Sequence, residues 1–134
     1  MPQQCQQAGE SIGLAESDYQ CGMALANLGE SKKSAEAFEA GQRKAPRDKR
    51  FPVELAGLAF RAHEFEKAKH LLHIALRLDE QDAYANEFLA TVYFLDDNLE
   101  AALKYWNRAG KPMVENVTSD PLPRLDPVLL DRAF

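Results

Sequence analysis

Three stretches of this chain superimpose when the sequence is slid by 34 residues, with windows starting at Ala15, Lys49 and Ala83. The seventh and eighth places read Cys21-Gly22, Leu55-Ala56 and Leu89-Ala90. The twentieth reads Ser34, Ala68 and Ala102, and the twenty-fourth Phe38, Leu72 and Trp106. The twenty-seventh reads Gly41, Ala75 and Ala109, and no gap is needed. A fixed period of this length, built from small and large apolar residues, is the signature of stacked helix–turn–helix units. Each pair of helices alone leaves one face apolar; stacking makes that face a continuous core.

The pattern within each window is helical. Tyr19, Gly22, Met23, Leu25, Ala26 and Leu28 recur at helix spacing, and Gly29 ends that helix. Ser31 is placed to cap a second helix carrying Ala35, Ala37, Phe38 and Gly41, with Pro46 ending the unit. The second window predicts helices over about 49–62 and 65–78, with Pro52 in a first turn, where its missing N–H costs little. In the third, Asp82 caps a helix running to Leu95, and Asp97 with Glu100 forms a capping box for the next. Gly110 and Pro112 stop it.

These windows resemble the tetratricopeptide repeat (TPR) family over about residues 15–112. Leu89, Ala90, Tyr93, Leu99, Ala102, Trp106 and Ala109 match best. Phe65, Ala68, Leu72 and Ala75 follow closely. The first window departs, with Ser34 and Gly41 where Ala is usual, and looser packing is expected there. The resemblance implies an all-α, right-handed superhelical stack of three repeats, 15–48, 49–82 and 83–112. Residues 1–14 form a tail or partial helix, and residues 113–134 a Pro-rich linker with a short C-terminal helix.

In that last segment, residues 113–118 (MVENVT) alternate like a short strand, and DPVLLDRAF opens like a helix, with Asp126 as N-cap and Pro127 at N1. The order resembles the opening strand and helix of a POTRA-type module of outer-membrane assembly proteins. It also offers a route to a homodimer through residues 113–134. The N-terminus lacks a charged region followed by an apolar stretch, so it does not read as a signal peptide. The expected compartment is cytoplasmic if the chain is complete, and periplasmic or cell-envelope if it is a fragment of a larger exported protein.

The formal net charge of −5 argues against nucleic acid as a partner, because that affinity rests on neutralising phosphates. No apolar run approaches the ~20 residues of a membrane span, so no membrane insertion by this chain is expected. Of the two cysteines, Cys21 fills a core place as a small hydrophobe. A disulfide to Cys5 is open, without any framework spacing to argue for it. Glu66, His70 and His73 share a helical face but read as a solvated surface, so no metal site is expected. With no catalytic motif present, the expectation is a protein that is not an enzyme and needs no cofactor.

In the resembled family the concave groove is lined by the second, fifth, ninth, twelfth and thirteenth places of each first helix. Carried over, the groove residues are Tyr19, Met23, Asn27, Arg50, Val53, Phe60, Arg61, Tyr84, Glu87 and Phe94, with Glu16, Ala26, Gly57, Thr91 and Leu95 beside them. A face this apolar is a partner groove, or is covered by the chain's own tail, or belongs to a register shifted by one residue. One subclass clamps the C-terminal carboxylate of heat-shock chaperones with Lys, Asn and Arg. The matching residues here are Tyr19, Met23, Glu54, Tyr84 and Phe88, which cannot form that clamp. The expected function is therefore a non-catalytic scaffold that binds a protein or peptide in an apolar groove. The alternative is an assembly domain of a larger cell-envelope protein, with the groove against a neighbouring domain.

Overall fold

The computed structural model describes residues 14–110. The tail at 1–13 with Cys5, the strand expected at 113–118 and the helix expected from Asp126 lie outside the described residues. Within them the chain forms six α-helices and no strand: α1 Ala15–Asn27, α2 Ser31–Lys44, α3 Arg50–Arg61, α4 Phe65–Leu78, α5 Ala83–Leu95 and α6 Leu99–Arg108. The second helices start 34 residues apart, at Ser31, Phe65 and Leu99. Each helix packs on the next, α1 on α2, α3 on α4 and α5 on α6, with α2 on α3 and α4 on α5 joining the pairs.

The turn inside each pair is one structure repeated in phase. Gly29, His63 and Asp97 all take a left-handed conformation, with φ of 79°, 61° and 61°. The following N–H then reaches back five residues, Glu30 to Leu25, Glu64 to Ala59 and Asn98 to Tyr93, at 2.9, 2.8 and 2.9 Å. This is the Schellman ending, which satisfies carbonyls a helix end would leave bare. Only the first turn uses glycine. Asp97 therefore terminates α5 rather than capping α6; the cap is Asn98, whose side chain accepts from the Ala101 N–H at 3.1 Å. Asp82 caps α5 as its sequence implies, accepting from the Ala85 N–H at 2.8 Å. Ser31 is the first residue of α2, and no side chain caps that helix.

The core runs through all three pairs. Ala56, Ala68, Leu72, Ala75, Leu89, Ala90, Ala102 and Trp106 are fully withdrawn from solvent, and they are the small and large places of the period. The first pair is not loosely packed. A Cβ at Gly22 would overlap the Phe38 ring, and one at Gly41 would overlap the Phe51 ring. Phe51 occupies the volume that alanine would claim, and it is fully buried. Ser34 donates its hydroxyl to the Gly22 carbonyl at 2.7 Å, so the polar atom is satisfied where α1 and α2 touch. Cys21 is 3% exposed and disulfide-bonded rather than a free thiol.

Candidate functional site: the inner face

The first helices of the three pairs bring Tyr19, Arg50, Val53, Glu54 and Tyr84 to one cleft of about 210 Å³, closed at its edge by Lys49 and Asp82. Arg50 holds the cleft together. Its Nη2 lies 2.9 Å from Asp48 and 2.6 Å from Glu16, and its guanidinium stacks 4.3 Å above the Tyr19 ring. The contact to Glu16 ties α3 to α1. Asp48 first, then Glu16, hold Arg50 above its ordinary pKa, and the guanidinium in turn keeps the Glu16 carboxyl below its own. Burial pushes the Tyr19 hydroxyl up, with the Glu54 charge adding to it. Lys49, at the start of α3, reaches Asp79 at the end of α4 and Asp82, the cap of α5, both at 2.5 Å. The inner face is thus an aromatic cleft edged by ion pairs, more charged than its sequence suggests.

Of the ten residues predicted to line the groove, Tyr19, Arg50, Val53 and Tyr84 meet in this cleft. Met23 and Phe94 are half-buried and lean on the core, Phe94 against the Trp106 ring at 6.0 Å. Asn27 and Arg61 are exposed at the ends of α1 and α3. Phe60 and Glu87 are buried, at 4% and 8% exposure. Phe60 sits edge-on to Phe88 at 5.5 Å and beside Phe65 at 5.3 Å. The structure thus places Phe60 between pairs as a core residue.

Two features had no counterpart in the sequence reading. A larger cleft, about 390 Å³, opens between the second helices of the first two pairs, floored by Ala35, Leu55, Leu58, Ala59 and Leu71 and rimmed by Lys32, Glu39, Glu64 and Lys67. It gathers no aromatic side chain, whereas the smaller inner cleft joins three helices through two tyrosines, and we rank the inner one first on that ground.

The second feature is His73, which is half-buried rather than on a solvated face. Its Nε2 lies 3.1 Å from the Tyr93 hydroxyl. Tyr93 stacks on Tyr105 at 5.7 Å and 5°. Burial first, then the charges of Arg77 and Lys104, lower the His73 pKa below 6.5. Two tyrosines at outward-facing places of the third window were the available signal. Glu66 pairs with Lys69 at 2.9 Å, and among the described residues no group of three His, Cys, Asp or Glu side chains could hold a metal ion. No helix among them is long and apolar enough to cross a membrane.

No family model matches the chain, and no curated protein matches it. Solved structures do. The crystal structure of MamA superimposes with a TM-score of 0.70 at 17% identity, over 73% of this chain and 57% of the MamA chain. The second TPR of Spaghetti (RPAP3), bound to the HSP90 peptide SRMEEVD, gives 0.68 at 17% identity, over 77% of this chain and 95% of that one. The type III secretion translocator chaperone SycD of Yersinia enterocolitica gives 0.68 at 16%, over 77% of each. At these identities the likeness establishes the fold, and the fold is the stacked tetratricopeptide repeat.

Proposed function

We propose that this tetratricopeptide-repeat stack is a non-catalytic protein-interaction scaffold, and that it takes a peptide or partner segment across the cleft between α1, α3 and α5. The carrying observation is the meeting of Tyr19, Arg50, Val53 and Tyr84, contributed by three separate helices. A pre-formed cleft with tyrosine walls supplies contact area at low entropic cost. A structure of the same fold holding an HSP90 peptide supports this reading.

The chemistry of the cleft narrows the partner. Its two cations, Lys49 and Arg50, are already engaged by four carboxylates, those of Asp79, Asp82, Asp48 and Glu16. A carboxylate arriving from a partner would have to displace one of these. An aliphatic or aromatic side chain flanked by a basic residue fits better, because it meets tyrosine faces and a net acidic edge.

Selection of peptides from a displayed random library on the intact chain tests this. Enriched peptides should carry a large apolar residue next to Arg or Lys, and the Val53→Ser/Tyr84→Ser variant should fail to enrich them. Enrichment of acidic C-terminal sequences, or the same peptides from the double variant, would overturn the assignment.

A further inference from the structure

Exposure at two places of the inner face differs between α1 and α5. At the fifth and ninth places, α1 presents Tyr19 and Met23, both half-buried, and α5 presents Glu87 and Thr91, at 8% and 1% exposure. The last pair has no following repeat among the described residues, yet these two inner places are withdrawn from solvent. Gly57, at the ninth place of α3, is also withdrawn from solvent, yet a Cβ there would meet no atom of the described residues within 4 Å. The surface between α3 and α5 is therefore withdrawn from solvent without a described residue lying over Gly57.

We infer that residues 126–134 of this chain lie in its own inner groove, against α5. This rests on the groove being the interaction surface, and it names the first occupant. The segment reads DPVLLDRAF, with Val128, Leu129, Leu130 and Phe134 as its apolar side chains and Arg132 among them. That is the apolar-plus-basic chemistry the acid-edged cleft accepts. The segment gains by burying that apolar face.

Fifteen residues separate it from Gly110. Extended, they reach about 50 Å, whereas first helices spaced about 10 Å apart span roughly 20–30 Å. Residues 1–13 are the poorer occupant, Gln-rich with Ile12 as their one large aliphatic residue besides Met1. A partner peptide then binds by displacing the segment, so its apparent affinity is lowered by the fraction of chains already occupied.

The test uses the full chain in solution. Nuclear Overhauser contacts are expected between the Thr91 methyl or the Gly57 α-protons and the methyls of Leu129 and Leu130. A sample mixing differently labelled chains should show these contacts within one chain. In the Leu129→Asp/Leu130→Asp variant, with helicity checked by circular dichroism, the contacts should vanish, and a soluble gadolinium agent should broaden the Thr91 methyl as it does exposed positions. Contacts seen only between chains would make the occupant a second copy and overturn the inference. So would absent contacts in the intact chain with the same Thr91 broadening in both proteins. Neither result bears on peptide selection, which reads the groove itself.

Discussion

At the scale of single residues, the first repeat shows why a departure from a pattern is not a weakness. Gly41 replaces the usual alanine, and helix propensity alone makes that a loss of about 1 kcal/mol. The structure reverses the sign, because the Phe51 ring fills the place of the missing methyl. Gly41→Ala should therefore destabilise the chain by roughly 1–3 kcal/mol through overpacking, measured by urea titration. A gain in stability would show that Phe51 lies elsewhere. Trp106→Ala, at a fully buried position, should cost about 3–5 kcal/mol in the same assay. The place of Trp106 was legible, since its period fixes it in the core. The partnership of Gly41 with Phe51 was not, because the two belong to different windows and only tertiary contact relates them.

His73 belongs to the same scale. Its native pKa lies below 6.5 because burial and the nearby cations disfavour the imidazolium. The unfolded chain then binds more protons than the native one as pH falls through 6.5, so stability must drop there. The carboxylates held low by their partners, Glu16, Asp48 and Asp79, act in a different window, below about pH 4. His73→Gln should flatten the fall in melting temperature between pH 7.5 and 5.5 while leaving the acid limb below pH 4 in place. An unchanged fall would assign it to another group.

At the scale of elements, the repeat is carried as much by its turns as by its apolar places. The three Schellman endings fall in phase, but only Gly29 would be recognised from sequence; His63 and Asp97 adopt the left-handed region without a glycine. That makes a paired comparison available. Gly29 has nothing among the described residues within 4 Å of a would-be Cβ, so Gly29→Ala isolates the backbone term and should cost about 1–2 kcal/mol. His63→Gly should move stability the other way by about 1 kcal/mol, reduced by whatever the His63–Phe65 ring contact at 5.9 Å contributes. Melting shifts of opposite sign, the gain at His63 being the smaller, would support the shared turn geometry, whereas a loss from both would contradict it.

For the molecule as a whole, the 34-residue period carried the fold, since each apolar place has one role wherever it recurs. The site was less legible. Register assigns a residue to the inner face but not its depth, so Phe60 and Tyr84 look alike in sequence although one is core and one lines the cleft. The ion pairs that engage Lys49 and Arg50 join residues up to 34 positions apart, and local spacing does not announce them. The central claim is that the inner face, rather than the larger outer cleft, receives the partner. The most direct measurement is a backbone chemical-shift map of the intact chain titrated with a selected apolar–basic peptide. The perturbed amides should cluster at Tyr19, Arg50, Val53 and Tyr84, and Tyr84→Ala should weaken binding about tenfold or more. Perturbations centred on Lys32, Glu39 and Lys67, with Tyr84→Ala binding as tightly as the parent, would contradict the account and move the site to the outer cleft.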